Sequence, residues 1–211
     1  MNALISIVGV DGCGKTTLAT LLKKEFEARG LRVACLWSRF RNYLSKPLLA
    51  LTRLSGHNYY RTIDGVRFGY HDFEKLLIYR EFFALLQAVD VNLATYWYIH
   101  RIRPKYDVVI CERGPWDTLV DVTSDTNLTG LPKSCLGRIY GAFLARNATV
   151  TLINRPIAKI LKDRIELQHD PKMKRRIEIY LESALRFGWT IIENNGKLED
   201  AINKLKATVC F

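Results

Sequence analysis

The eight residues from Gly9 to Thr16, GVDGCGKT, have the residue types and spacing of a phosphate-binding loop. Glycines let the backbone turn tightly around an anion, so that successive N–H groups point at it. Lys15 would reach the β- and γ-phosphates of a nucleotide, and Thr16 would supply a hydroxyl to Mg²⁺. The loop therefore predicts ATP and Mg²⁺ as cofactors; the alternative is a glycine-rich turn without a ligand. The residues expected at the nucleotide are Gly9, Asp11, Gly12, Cys13, Gly14, Lys15, Thr16 and Thr17.

The flanking sequence supplies the elements that such a loop needs. An apolar, β-prone run from Leu4 to Val8 precedes it. Apolar residues at helical spacing follow it and end before Gly30, a typical helix stop. A strand, a glycine loop and a helix in this order place the positive end of the helix dipole at the bound phosphates.

Charged residues follow two further predicted strands. Glu112 and Arg113 come after an apolar strand, where an acidic residue suits a second Mg²⁺ ligand and an arginine suits a phosphate clamp. The alternative is a strand-end ion pair. Arg39 and Arg41 follow the second strand and suit an anionic acceptor, because guanidinium binds phosphate in a bidentate manner. The alternative for both is exposed, solubilising charge.

Three more positions are candidates at the same site. Asp11, inside the loop, would bond an acceptor hydroxyl, orient Mg²⁺ or only brace the loop. Trp116, just past the third strand, is a candidate contact to substrate. A basic segment at residues 163–176 predicts a lid that excludes water and neutralises developing charge, with Arg164 as the best single choice. The alternative for the segment is a solvated helix–loop–helix tip.

The chain alternates strand and helix patterns over its whole length, and residues 38–70 are predicted to be irregular. We expect one domain, residues 1–211, with a three-layer P-loop fold: a five-stranded parallel sheet, helices on both faces and the short lid. Strands are predicted at about 3–9, 32–37, 107–111, 149–153 and 189–192. Helices are predicted at about 15–29, 72–103 (one or two), after Trp116, 136–145, 156–167, 170–187 and 197–208.

Composition restricts the function classes. The net charge is +11 but dispersed along the chain, which favours small polyanionic nucleotides or a solvated surface over a nucleic-acid-binding stripe. No run reaches the roughly 20 apolar residues of a membrane helix, so no membrane partner is expected. Five scattered cysteines without metal-ligand spacing favour a reducing, cytoplasmic location.

These motifs together resemble the thymidylate kinase family of nucleoside monophosphate kinases. The loop Gly9–Thr17 is similar to that family's loop, including its Asp. Ser38-Arg39 resembles the Arg after its second strand, Glu112-Arg113 its Asp-Arg step, and Asn154-Arg155-Pro156 the end of its fourth strand. The resemblance implies transfer of the γ-phosphoryl group of ATP to a nucleoside monophosphate with Mg²⁺. It also implies a possible homodimer, as family members are often dimers.

Departures from the family pattern leave the acceptor open. The family's Arg on the long helix is replaced by Asp90-Val91-Asn92, and Arg80 lies three helical turns away. Glu112 stands where the family has Asp, and Glu-Arg at this place resembles the deoxynucleoside kinases. Residues 40–70 also differ. The alternatives are therefore a deoxynucleoside or other small-molecule kinase of the same fold, or a nucleotide-binding protein or ATPase without kinase activity.

Overall fold

A computed structural model of the chain describes residues 3–38, 42–63 and 65–209. The strands are β1 Ala3–Val8, β2 Val33–Leu36, β3 Asn58–Ile63, β4 Val66–His71, β5 Val108–Glu112, β6 Thr149–Asn154 and β7 Thr190–Glu193. The helices are α1 Lys15–Ala28, α2 Lys46–Leu54, α3 Leu77–Ile102, α4 Pro115–Thr126, α5 Cys135–Tyr140, α6 Ala142–Asn147, α7 Ile157–Asp163, α8 Met173–Phe187 and α9 Leu198–Val209.

Five strands form one parallel sheet in the order β2-β5-β1-β6-β7. The central strands β1 and β5 are nearly continuous apolar runs, as strands covered on both faces must be. Helices α1 and α9 pack together, while α3, α4 and α8 form a second packed group. The predicted three-layer fold with its five-stranded parallel sheet is confirmed.

Residues 38–70 were predicted to be irregular, and this is wrong for most of the segment. It contains helix α2 and a two-stranded antiparallel hairpin, β3–β4, which is separate from the main sheet. Each of these elements is short, nine residues or fewer, so the hydrophobic period on which the prediction relied is weak. We call α2 and the hairpin together the cap.

Other boundaries differ in smaller ways. The region 72–103 contains one long helix, α3, after a single 3₁₀ turn, and not two long helices. The predicted helix at 136–145 is two short helices that meet at Gly141. Helix α7 stops at Asp163, and the lid begins with a 3₁₀ stretch at 165–169. Among the described residues, no helix combines the length and apolar character that crossing a bilayer requires.

Candidate nucleotide-binding site

The loop between β1 and α1 has the backbone that its glycines predict. Gly9 has φ +144°, and a Cβ there would lie 2.6 Å from the carbonyl oxygen of Ile153. Gly14, the residue before α1, has φ +102° and lies directly against the side chain of Asn194. Side chains at either position would therefore meet both backbone strain and a steric clash. The loop is held in a tight turn at the N-terminus of α1.

Lys15 is folded back onto the loop. Its side chain is 3% exposed, and its ammonium group donates hydrogen bonds to the carbonyls of Gly9 at 2.5 Å and Val10 at 2.7 Å. Neutral carbonyls do not balance the charge of a buried ammonium. Among the described residues, Lys15 has no carboxylate partner. Beside it, burial raises the pKa of the Cys13 thiol, although the positive charge of Lys15 opposes the change.

Thr16, in the first turn of α1, contacts Glu112 at the end of β5. The register of β1 and β5 pairs Ile7 with Glu112, so the end of β5 adjoins the loop. The Thr16 hydroxyl donates a hydrogen bond of 2.5 Å to Glu112 Oε1. A hydroxyl and a carboxylate at this distance are the hard oxygen ligands that Mg²⁺ prefers. Among the described residues, no group of three or more His, Cys, Asp or Glu side chains could hold a metal ion by itself.

Asp11 and Arg113 form an ion pair at the mouth of the loop. Arg113 directly follows β5 and has φ +61°, the left-handed conformation that residues with a side chain rarely adopt. Its carbonyl accepts a hydrogen bond from the backbone N–H of Ser38, at the end of the neighbouring strand β2. The pair places a guanidinium beside the loop between β1 and α1.

The predicted lid segment, residues 163–176, lies against the loop, and its Arg164 is paired with an acidic residue of the same segment. Arg164 Nε donates to Glu166 at 2.7 Å, and half of its side chain is exposed. A different lid arginine, Arg176, lines a small cleft with Asp11 and Arg113. Arg176 is paired with Asp170 at 2.6 Å and with Asp121 at 3.2 Å. Both arginines therefore lie near the loop: Arg176 lines the cleft, and Arg164 Cδ lies 3.8 Å from the position of a Cβ at Gly12.

Comparisons with known proteins bear on the fold. No protein-family model matches the chain, and no curated protein matches it. Among solved structures, the crystal structure of thymidylate kinase from Ehrlichia chaffeensis matches with a TM-score of 0.56 and covers 100% of this chain and 99% of that chain. The fold is similar to that of a thymidylate kinase. Sequence identity is 14%, so the likeness concerns the fold.

Two residues that the sequence analysis did not select as site residues contact the loop from the ends of β6 and β7. Arg155 donates a hydrogen bond of 3.1 Å to the carbonyl of Gly12 and forms an ion pair with Asp163. Asn194 donates one of 2.8 Å to the carbonyl of Cys13. Both residues follow the carboxyl end of a parallel strand, which is the signal that could have found them.

Helices α4 and α8 join through complementary side chains. Asp117, Asp121 and Asp125 lie four residues apart on α4 and are all buried. Their partners are also four residues apart and lie at the start of α8 or within it. Tyr180 donates to Asp117 at 2.7 Å, and Arg176 pairs with Asp121. Lys172 lies 3.2 Å from Asp125. These contacts connect the lid to the helix that begins beside Arg113.

The remaining predicted contacts, Trp116, Arg39, Arg41 and Thr17, have other outcomes. Trp116 is 1% exposed and packs between Phe187 and Trp189, with ring centroids at 4.6 Å and 5.0 Å. Trp116 belongs to the core and not to the site, because α4 directs its side chain into the core. Arg39 and Arg41 lie outside the described residues. Thr17 is exposed in the first turn of α1.

The region of α3 that departs from the family pattern has a structural explanation. The Asp90 carboxylate accepts hydrogen bonds from the backbone N–H groups of Tyr43, Leu44 and Ser45 and from the Ser45 hydroxyl, all at 2.7–2.9 Å. Gln87, one turn earlier, donates to Ser45 Oγ at 2.7 Å. Asp90 therefore fastens the segment before α2 to the long helix.

Proposed function

We propose that the chain is an ATP-dependent kinase that transfers the γ-phosphoryl group to a nucleoside monophosphate and requires Mg²⁺. One observation carries the proposal: Lys15, the Thr16–Glu112 pair and the Asp11–Arg113 pair surround one phosphate loop at the carboxyl ends of β1 and β5. The similarity to a thymidylate kinase fold supports the kinase class. A buried cation, two oxygen ligands and a guanidinium are what transfer of a phosphoryl group requires.

Each residue has a role in this proposal. The loop amides and Lys15 hold the ATP phosphates, while Thr16 and Glu112 hold Mg²⁺, which when bound screens the charge of those phosphates. Arg113 and the lid arginine Arg176 neutralise the charge that develops on the transferred group. Lys15 exchanges its carbonyl partners for phosphate oxygens, which are stronger acceptors because they are charged.

A phosphate acceptor fits the two carboxylates at the site better than a hydroxyl acceptor does. Phosphate oxygens are already ionised at neutral pH, so they need no general base, whereas a hydroxyl needs a carboxylate within hydrogen-bond reach. Here Glu112 accepts from Thr16, and Asp11 is paired with Arg113. A nucleoside or other small-molecule hydroxyl is the second candidate acceptor, and Glu112, which resembles the acid of deoxynucleoside kinases, is the observation in its favour.

The test is acceptor-dependent ADP formation from Mg-ATP with a panel of nucleosides and nucleoside monophosphates. We expect turnover with at least one monophosphate and a loss of at least about 100-fold in Lys15→Ala, the size of effect seen when one electrostatic stabiliser is removed. Lys24→Ala, an exposed lysine on the same helix, is the control and should keep the wild-type rate.

Three other outcomes are each informative. Turnover only with nucleosides would replace the monophosphate by the hydroxyl acceptor. Turnover stimulated only by DNA or RNA would indicate an ATPase, and tight ATP binding without turnover would indicate a binding protein. Either of the last two would contradict the kinase proposal.

A homodimer and a cytoplasmic location also belong to the proposal. Helix α3 exposes a row of large apolar side chains along one side, which supplies a face for self-association. Its members are Phe82, Leu85, Leu93, Tyr96 and Trp97. Nucleic acid and membranes are not among the proposed partners.

A further inference from the structure

A cavity of about 660 Å³ lies between the cap and helices α3 and α4. This volume is in the range of pockets that hold small organic ligands. Helix α4 connects it to the phosphate loop: the helix starts at Pro115, beside Arg113, and Val122 and Asp125 line the cavity. At 1.5 Å per residue, Pro115 and Val122 are about 10 Å apart along the axis. None of the described residues that line the cavity belongs to the loop, so an acceptor held there would have to span this distance to reach the site of transfer.

Three buried polar atoms in the cavity wall have no hydrogen-bond partner in the part of the chain that the structure describes. They are Gln87 Oε1, Asn58 Oδ1 and His71 Nδ1. Gln87 is 1% exposed and Asn58 is 6% exposed. Buried polar atoms are usually paired, so a polar ligand that reached these atoms would supply the partners that they lack.

The orientation of the Gln87 amide is determined by its neighbours. The Asp90 carboxylate can only accept, so the Ser45 hydroxyl donates to it and accepts from Gln87 Nε2. The same nitrogen also donates to Asn42 Oδ1 at 2.6 Å. Gln87 Oε1 is left as the acceptor, and a ligand must present an N–H or O–H group to it.

The cap adds positive charge to this cavity. Lys46, Leu49, Ala50 and Arg53 follow helical spacing and form the face of α2 that lines it. Among the described residues, neither Lys46 nor Arg53 has a carboxylate partner. The acidic lining residue Asp125, in contrast, is already paired with Lys172.

Arg53 is exposed and contacts the ring of Tyr60 on the hairpin. Its guanidinium lies 5.7 Å from the ring centroid of Tyr60 and donates a weak hydrogen bond of 3.5 Å to the Tyr60 hydroxyl. Arg67 lies over the same ring at 3.9 Å. Two guanidinium groups at one ring, without an acidic partner among the described residues, are an arrangement that an anion would stabilise.

We propose that the acceptor carries a second phosphate, remote from the group that receives the phosphoryl, and that Arg53 and Lys46 bind this second phosphate. The inference rests on the proposed function, because it places the acceptor in the cavity, about 10 Å along α4 from the start of that helix beside Arg113. It names the acceptor class as a nucleoside with two phosphorylated positions. Gln87 contributes an acceptor for a donor group in the body of that molecule.

The test is isothermal calorimetry without ATP. The probes are the 5′-monophosphates and the 3′,5′-bisphosphates of thymidine and deoxyadenosine. For at least one base, we expect the bisphosphate to bind the wild-type protein about tenfold or more tightly than the monophosphate, since a charge-assisted bond is worth about 1.5–3 kcal/mol. Arg53→Ala and Lys46→Ala should each reduce this preference severalfold, while Arg53→Lys should retain part of it. Lys204→Ala, an exposed lysine on α9, is the control and should leave the preference unchanged.

Each contrary outcome is decisive. Equal binding of monophosphate and bisphosphate, binding of none of the four probes, or a preference that survives both alanine variants would overturn the second phosphate site. The kinase proposal is tested separately, because these titrations contain no ATP. A protein that phosphorylates a monophosphate but shows no preference for the bisphosphate would keep the kinase and lose this inference.

Discussion

Arg113 holds a backbone conformation that residues with a Cβ avoid. Its φ of +61° lies in the left-handed region, which costs a non-glycine residue about 1–2 kcal/mol. This conformation turns the chain after β5, and the guanidinium then pairs with Asp11 at the loop. Strain of this kind is often found at functional sites, where the position of a side chain matters for function although the backbone conformation lowers stability.

Two substitutions at Arg113 separate strain from function. Arg113→Gly removes the side chain and relieves the backbone, whereas Arg113→Ala removes the side chain and keeps the Cβ. We expect the glycine variant to have a free energy of unfolding about 1 kcal/mol greater than that of the alanine variant, measured by denaturant titration. Both variants should lose acceptor-dependent ADP formation. An alanine variant at least as stable as the glycine variant would argue against strain, and full activity in either would remove Arg113 from the transfer step.

At this scale, the sequence predicts the parts of the site that are local. Lys15, Thr16 and the loop glycines are neighbours in the chain, and Glu112-Arg113 comes at the end of a strand that the parallel sheet places beside the loop. Arg155, Asn194, Arg176 and Gln87 reach the site or the cavity through contacts that are distant in sequence. The strand-end positions of Arg155 and Asn194 are a signal for the first two, whereas no period or motif predicts the contacts of Arg176 and Gln87. Their roles, like those of the predicted residues, are proposals.

Among the elements, the break between α5 and α6 depends on Gly141. A Cβ at Gly141 would lie 2.0 Å from the indole ring of Trp116, which is itself packed against Phe187 and Trp189. The indole therefore occupies the space in which any other residue would place its side chain. This close contact lets α6 turn back toward β6 while α4 keeps its tryptophan in the core.

We expect Gly141→Ala to lower the free energy of unfolding by at least about 1–3 kcal/mol, because overpacking displaces a ring that cannot move within a dense core. Gly130→Ala is the matched control: no atom lies within 4 Å of a Cβ there, and the effect should stay within about 0.5 kcal/mol. Thermal or denaturant unfolding measures both. Equal stability of the two variants would contradict the packing account.

The elements that the sequence predicts best are long or strongly apolar, such as α1, α3 and the strands of the parallel sheet. The cap was missed, although Asp64-Gly65 is a dipeptide typical of two-residue hairpin turns. Gly65 has the positive φ, +77°, that such a turn needs. Propensity failed here because each strand has only six residues, and β3 carries polar residues on both faces, so the pattern of a half-buried strand is weak over the hairpin as a whole.

For the whole molecule, the parallel sheet explains why residues far apart in the chain meet at one edge. β1, β5, β6 and β7 all end there, and each is followed by a residue that contacts the loop region: Lys15, Arg113, Arg155 and Asn194. Alternation of strands and helices predicts this edge without any knowledge of packing. The cavity under the cap is a property of tertiary packing alone.

The central claim is that the loop at the start of α1 binds the triphosphate of ATP through its amides and Lys15. Calorimetry at millimolar Mg²⁺ tests it most directly, with wild type, Lys15→Ala and the Lys24→Ala control. The account predicts saturable ATP binding to the wild type and the control, and at least tenfold weaker binding to Lys15→Ala. No heat from ATP or GTP with the wild-type protein, or equal affinity for ATP in all three, would contradict it.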